Sequence, residues 1–390
     1  MTSSVSFQFS TLDCQYMARA LRLAEKGWYS TMPNPRVGCV LVKDEKVIGE
    51  GYHQRAGQAH AEINALNSVA NLNDIKGATA YVTLEPCSHY GRTGPCSDAL
   101  INAGVKRVVY AMADPNPKVA HHEQGSGIER MRRAGLVVEG PLMEAQAEAL
   151  NRGFLHRMRT GRPRVVCKLA MSLDGRTAMA SGESQWITGP DARKEVQTLR
   201  AQSCAIVTGW STVKVDGARM TVRSNELPSN VAMSVGDRQP LRVVLDSQTQ
   251  LQGDEPLFQA EGPVLWVSGL LEPVSQVATS RSTLPTLRST VEHMSVPLHD
   301  GHINLIRMLE ELGRRECNNV LVEAGSTLAG AFVQAGLVDE LRVYMAPTLM
   351  GSTAQPLLTL PIASMSDQRP LNIESITAIG KDWRIIAMPS

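Results

Sequence analysis

The sequence predicts an α/β protein of two domains, and three observations carry that expectation. Strand-like runs rich in Val, Ile and Leu alternate with helix-like stretches, a pattern that favours mainly parallel sheets covered by helices. The 390 residues exceed what one core usually organises, so two domains of roughly 150–220 residues are the natural division. Arg159-Thr160-Gly161-Arg162-Pro163 breaks a helix-like run and places the boundary, giving domains of residues 1–158 and 164–390.

A helix is expected from Asp13, its cap, with Met17, Ala20, Leu21 and Ala24 at helical spacing and Gly27 as its stop. Pro33-Asn34-Pro35 forces an irregular turn, because each proline fixes its own φ and biases the residue before it. Val37–Val42 reads as a strand, Lys43–Lys46 as a turn, and Val47–His53 as the hairpin partner. Helix His60–Val69, strand Ala80–Leu84, helix Ser97–Ala103 and strand Val105–Met112 follow. Helix Ile128–Ala134, strand Leu136–Val138 and helix Leu142–Met158 complete the first half.

Composition excludes several function classes. With 39 basic against 38 acidic residues the net charge is +1, which offers no electrostatic footprint for a long polyanion. No nucleic-acid partner is expected, although one phosphate in a local basic pocket is compatible with that balance. No apolar run reaches the roughly 18 residues of a membrane span, and Met1–Thr11 lacks the basic and apolar regions of an export signal. The seven cysteines, Cys14, Cys39, Cys87, Cys96, Cys167, Cys204 and Cys317, are an odd number in a long chain. They read as reduced thiols in a cytoplasmic protein rather than as a disulfide framework.

Chemistry concentrates between His60 and Cys96. His60-Ala61-Glu62 heads a helix, Pro86-Cys87 follows a strand, and Pro95-Cys96 precedes another helix. One imidazole and two thiolates make three legs of a tetrahedral zinc site, with water as the fourth. H-x-E followed by P-C-x-x-C is the signature of zinc deaminases; here eight residues rather than two separate the cysteines. His60, Cys87 and Cys96 are therefore the candidate ligands of one zinc ion, and Glu62 the candidate proton shuttle. Singly, each has a plainer role as a capping His, a core Cys or a surface Glu. Together, with a proline before each cysteine, they point to hydrolytic deamination of an amino-substituted heterocycle. His121-His122-Glu123 invites a second metal, but adjacent loop histidines are more often solvated.

Thr83–Cys96 resembles the long zinc loop of the riboflavin-biosynthesis deaminases. Pro33-Asn34-Pro35-x-Val37-Gly38, Gly51-Tyr52-His53 and Asp114-Pro115-Asn116-Pro117 match the same family. The resemblance implies a cytidine-deaminase-like, three-layer α/β/α domain in which Asn34 contacts the pyrimidine, with His53 and His89 as further candidates. An ordinary turn residue is the plainer reading of Asn34. Gly94 stands where the family commonly has a second proline, and His121–Gly127 replaces a shorter Gly-rich turn.

In the second half, strands are expected at Val165–Leu169, Ala205–Thr208, Arg242–Leu245, Val264–Val267, Asn319–Val322 and Glu340–Ala346. Helices are expected at Asp191–Ala201, Ile303–Gly313 and Thr327–Ala335, and Ser224–Gln239 reads as a long surface loop. Neither GxGxxG nor a Walker A pattern occurs, so a Rossmann site is unsupported. Pattern alone leaves the role of this half open.

Lys168–Arg176, Ser184–Thr188 and Val322-Glu323-Ala324-Gly325-x-Thr327-Leu328 resemble the reductase domain fused to the same deaminase. That resemblance implies a dihydrofolate-reductase-like α/β domain using NADPH. Position by position, it puts Ala170, Trp186, Thr212, Asp216, Ser247, Gly325, Ser326, Thr327, Leu328, Ala329, Gly330 and Ala331 against the cofactor. Ser184, Arg200, Met220, Arg223 and Glu323 are to surround the sugar phosphate. The residue types agree: Arg offers a planar fork for phosphate, and a helix start near Thr327 suits a pyrophosphate. A core aromatic is the alternative for Trp186. In Val215–Arg223, Gly217 and Ala218 replace a charge and a proline, so a more flexible loop is expected.

The implied activity is deamination of a diaminopyrimidinone ribosylamine phosphate by residues 1–158, then NADPH-dependent reduction of ribosyl to ribityl by residues 164–390. A small phosphorylated pyrimidine is the expected partner, and a homo-oligomer the expected assembly. The alternatives are a nucleoside or tRNA deaminase with a non-catalytic second half, and a zinc-stabilised scaffold. Affinity for NADPH separates the first from the fused enzyme. The supply of only three obvious protein ligands disfavours the second.

Overall fold

The computed structural model describes residues 8–88, 94–116, 125–270, 278–281 and 290–390. His89 and His121-His122-Glu123 lie outside them. The chain divides into two compact units, Met1–Gly161 and Arg162–Ser390.

The first unit is built on strands β1 (Gly38–Lys43), β2 (Lys46–Tyr52), β3 (Thr79–Val82), β4 (Arg107–Tyr110) and β5 (Val137–Glu139), in the order β2-β1-β3-β4-β5. Only β3, β4 and β5 run parallel; β1 is antiparallel to both β2 and β3. The mainly parallel sheet expected here is thus a mixed one. One antiparallel pairing, β1 with β2, is local: Asp44 and Glu45 both take positive φ (47° and 59°), which makes a two-residue hairpin; the other, β1 with β3, is set by tertiary packing.

Helix Thr11–Glu25 buries Met17, Ala20, Leu21 and Ala24 as their spacing predicts. Its cap is Ser10 rather than Asp13; Asp13 is the reciprocal member of a capping box, accepting the Ser10 N–H. Helix Glu144–Thr160 runs two residues beyond the expected Met158 and stops at Gly161, which supplies φ +74°.

The second unit contains β6 (Arg164–Ser172), β7 (Arg176–Ala178), β8 (Ala205–Gly209), β9 (Leu241–Asp246) and β10 (Val264–Leu270). It continues through β11 (Ala278–Arg281), β12 (Val291–His299), β13 (His302–Ile303), β14 (Asn319–Glu323) and β15 (Glu340–Ala346). Three more follow, β16 (Gln355–Pro356), β17 (Leu371–Ile379) and β18 (Asp382–Pro389). The main sheet has the order β11-β12-β10-β9-β8-β14-β6-β15-β18-β17. From β12 to β15 every pairing is parallel, so here the expected parallel sheet is present; β18 and β17 add an antiparallel hairpin at one edge.

Two sequence expectations change. Within Ser224–Gln239 lies a short helix, Ser229–Val235, that buries Val231 and Val235; two apolar residues four apart give too little periodicity to reveal it. The helix expected from Ile303 starts at Leu305, because Ile303 pairs with Leu298 in β12 and Asn304 caps through the Arg307 N–H. Among the described residues, no helix is long and apolar enough to cross a membrane.

Candidate active sites

His60 is the N-cap residue of helix Ala61–Asn67 but its imidazole makes no capping bond. Cys87 lies beyond the carboxyl end of β3, and Cys96 is the first residue of helix Cys96–Asn102. These elements bring His60 Nδ1 to 3.6 Å from Cys87 Sγ and 3.3 Å from Cys96 Sγ. All three ligand atoms lie within 4.8 Å of one another. Tetrahedral zinc with N and S ligands separates its donors by about 3.3–3.8 Å, so the donor set fits that ion.

The electrostatics agree. The Cys96 thiol donates to Cys87 and outweighs the effect of burial; with the His60 ring and the Cys96 N–H it holds the Cys87 thiol well below the ordinary thiol range. The hydrogen bond to Cys87, and then burial, hold Cys96 protonated. Such a pair is poised to exchange its shared proton for a cation. Glu62 is 3% exposed, and burial, then the Cys87 sulfur, push its carboxyl up to about 7.

Glu85, to which the sequence assigned no role, ties the segment before Cys87 to two later parts of the chain. Its carboxylate accepts the Ile128 N–H at 3.1 Å and the Asp114 N–H at 3.3 Å. Gly127, just ahead of Ile128, packs against the Pro86 carbonyl so closely that a Cβ would overlap it. Ser97 donates through N and Oγ to Cys87 O, at 3.2 and 3.0 Å.

Asn34 sits in a turn closed by its N–H on Thr31 O at 2.8 Å. Its Nδ2 is 3.0 Å from His53 Nε2, while His53 Nδ1 is 3.1 Å from Ala59 O. The neutral His53 ring therefore donates from Nδ1 and accepts from Asn34 at Nε2. With one Nδ2 hydrogen on His53, the Asn34 carbonyl oxygen and the second Nδ2 hydrogen are left to meet a base. The His53 and His60 rings lie edge to face at 5.4 Å, linking Asn34 to the candidate metal ligands.

In the second unit, β9, β8, β14 and β6 are neighbouring parallel strands. Ser247, Thr212, Gly325 and Ala170 lie at or just beyond their carboxyl ends, where α/β sheets bind ligands. Ser184 Oγ donates to Asp216 Oδ1 at 3.1 Å, joining another two of the candidates. Gly325 is the N-cap of helix Ser326–Gln334 and supplies no capping side chain, so the helix start suits a pyrophosphate. Gly330 packs on Thr359 O, where a Cβ would collide; Leu328, Ala329 and Ala331 continue the same helix. Trp186 is 66% exposed, which removes the core reading, and the Arg193 guanidinium lies 4.5 Å from its ring centre.

Arg200 is held by Glu323 through Nε–Oε1 at 2.6 Å and Nη2–Oε2 at 2.9 Å, and donates from Nη1 to Thr221 O at 2.9 Å. Its fork is therefore filled within the protein. Met220 Sδ lies 3.6 Å from Arg200 Nη2. Arg223 is the more open of the two arginines; its Nε meets Glu226 Oε1 at 3.0 Å. The geometry adds Lys168, the strand partner of Glu323, whose ammonium is destabilised by burial against the attraction of Glu323.

The Val215–Arg223 segment lacks the family's second charge and proline but is tied from several directions. The Gln239 amide pairs with both Val222 N–H (2.8 Å) and Val222 O (3.0 Å). Gln197 Oε1 accepts the Arg223 N–H at 3.0 Å, and Arg242 Nη1 donates to Arg219 O at 3.3 Å.

Comparison with known proteins agrees in both halves. Residues 10–112 match the family model of the cytidine and deoxycytidylate deaminase zinc-binding region, and residues 163–385 match the RibD C-terminal domain. The riboflavin biosynthesis protein RibD of Escherichia coli is 50% identical over 374 residues, covering 95% of this chain and 97% of that one. The solved Acinetobacter baumannii RibD, form 1, superposes with a TM-score of 0.84 at 41% identity, covering 97% of this chain and 99% of that one. A Thermotoga maritima diaminohydroxyphosphoribosylaminopyrimidine deaminase/5-amino-6-(5-phosphoribosylamino)uracil reductase gives 0.81 at 29% identity, with the same coverage.

Proposed function

Because the chain belongs to the bifunctional riboflavin-biosynthesis family, and is thus a zinc-dependent deaminase joined to an NADPH-dependent reductase, we propose that His60, Cys87 and Cys96 hold the zinc and Glu62 moves the protons. The observation that carries this is the three-donor cluster with a buried carboxyl two residues beyond His60. When bound, zinc supplies a Lewis acid that makes hydroxide available near neutral pH. Glu62, buried two residues beyond His60, would take up a proton beside such an ion and hand it to the departing amine. Asn34 orients the pyrimidine of the diaminopyrimidinone ribosylamine phosphate, and His53 fixes the Asn34 amide.

In the reductase half, Ala170, Trp186, Thr212, Asp216, Ser247 and the Gly325–Ala331 helix start hold NADPH, which when bound supplies a hydride to the ribosyl C1′. Ser184, Met220, Arg223, Glu323 and Arg200 surround the sugar phosphate. Arg223 is suited to meet the phosphate directly, and Arg200 to set the Glu323 carboxylate. Residues 1–158 and 164–390 are the two functional domains.

A cytoplasmic location accords with seven cysteines, none in a disulfide. A homo-oligomer accords with the edge strand β17, where Leu371, Ile373 and Ile376 are 45–60% exposed. A net charge of +1 speaks against nucleic acid as a partner. The test is to supply the diaminopyrimidinone ribosylamine phosphate with and without NADPH. Ammonia and the aminouracil product without cofactor, and the ribityl product only with it, are expected. Deamination without NADPH-dependent reduction would instead favour a deaminase with a non-catalytic second half.

A further inference from the structure

Helix Glu144–Thr160 carries one residue out of helical conformation, Asn151 (φ −119°, ψ 18°), and its side chain is buried. A helix through this point has no need of asparagine, a weak helix former. The amide is used elsewhere. Oδ1 accepts the Arg36 N–H at 2.8 Å and Nδ2 donates to Arg36 O at 3.0 Å, so one side chain imitates a strand partner for a residue 115 positions earlier. Arg36 reciprocates. Its guanidinium donates to Leu150 O, in the broken turn, and to Trp28 O at 3.3 Å, and it lies 4.3 Å from the Trp28 ring centre. Hydrogen bonds that run both ways between two buried residues favour a single geometry.

Two residues before Arg36 is Asn34, whose amide is held on its other side by His53. We propose that Asn151 is a positioning residue for deamination: by clamping the Arg36 backbone it sets the Pro33-Asn34-Pro35 turn and the aim of the Asn34 amide. This rests on the reading of Asn34 as the pyrimidine contact. Among the described residues Asn151 bonds to no candidate metal ligand; besides Arg36 it meets Ala147 O at 3.4 Å.

A double-mutant cycle in the full chain tests it, with Asn34→Ala, Asn151→Ala, both together, and Asn151→Asp. The readouts are KM and kcat for deamination, zinc content, and NADPH-dependent turnover of the already deaminated substrate. Asn151→Ala is expected to raise the deamination KM by about ten- to a hundredfold, since small misplacements of an orienting group have effects of that size. Zinc content and reductase turnover stay unchanged. Asn151→Asp keeps the acceptor for the Arg36 N–H but sets a carboxylate oxygen against Arg36 O, so it too raises the KM and does not restore the parent value. Once Asn34 is alanine, removing Asn151 adds less than about twofold, because coupled residues are non-additive. Losses that multiply in the double variant overturn the clamp, as does an unchanged KM in Asn151→Ala while Asn34→Ala is impaired. An unchanged KM in Asn34→Ala overturns the Asn34 contact itself, and the clamp with it. If Asn151→Ala lowers reductase turnover or solubility, Asn151→Asp carries the same cycle.

Discussion

Arg200 and Glu323 form a bidentate pair, Nε–Oε1 at 2.6 Å and Nη2–Oε2 at 2.9 Å, on the reductase side of the chain. Burial opposes charge on Glu323, but Arg200 outweighs it and holds the carboxyl below its ordinary range. Lysine has a point charge and cannot reproduce two parallel bonds. Arg200→Lys is therefore expected to weaken the NADPH-dependent step by about tenfold or more, while deamination and zinc content stay unchanged. Assaying the two steps separately in one preparation checks this; equal loss of both would mean general misfolding.

The zinc ligands and Glu62 are separable in the first unit. Glu62→Gln keeps His60, Cys87 and Cys96 and should retain one zinc per chain. Deamination should fall by about 10²–10⁴-fold, the usual worth of a positioned general acid–base. Cys96→Ser, or removal of metal by chelator, should abolish deamination and leave reduction of the deaminated substrate intact. Metal content beside the two rates decides it. Retained deamination in Glu62→Gln would contradict the proton-shuttle role.

Acid should loosen the first unit through Asp13. Burial raises this carboxyl's pKa, but Arg107 Nη1 at 2.6 Å, Tyr81 Oη at 2.7 Å and the Ser10 donors outweigh it and hold it well below the usual carboxylate range. The folded pKa lies below the unfolded value of about 3.9, so its contribution is complete above that value and drains away as pH falls through the folded one. Hydrogen-exchange protection of helix Thr11–Glu25 should decline between about pH 5 and pH 2. Asp13→Asn should flatten that decline and cost about 1–3 kcal/mol near neutral pH, because Arg107 loses a charged partner.

Much of this was legible because the informative signals are short and local. The helix face Met17-Ala20-Leu21-Ala24, the parallel strands of the second unit and the order His60, Glu62, Cys87, Cys96 each announce themselves by spacing. What escaped depends on partners remote in sequence or on spans too short to show a period. The antiparallel place of β1 beside β3 is a tertiary choice, and helix Ser229–Val235 has two buried residues to mark it. Glu85 stands inside a recognised motif, yet its role appears only when Asp114 and Ile128 arrive beside it. The same holds for Lys168, which the sheet register sets against Glu323.

The Val215–Arg223 segment tests how a loop stripped of its stiff residues is kept in shape. Gly217, with φ +58°, and Ala218 impose little order of their own. Restraint comes instead from Gln239, whose amide bonds both backbone groups of Val222, and from Gln197 on the Arg223 N–H. Leaving a backbone N–H without a partner in a partly buried loop costs about 1–3 kcal/mol. Gln239→Ala should therefore raise the KM of the reductase step by several-fold to about a hundredfold, with deamination unaffected. Gln239→Glu keeps the acceptor for the Val222 N–H and puts an anion where the donor to Val222 O was, so it should not restore the parent rate. Parent-like reductase kinetics in both variants would show that Arg200 on Thr221 O and Arg242 on Arg219 O suffice to hold the loop.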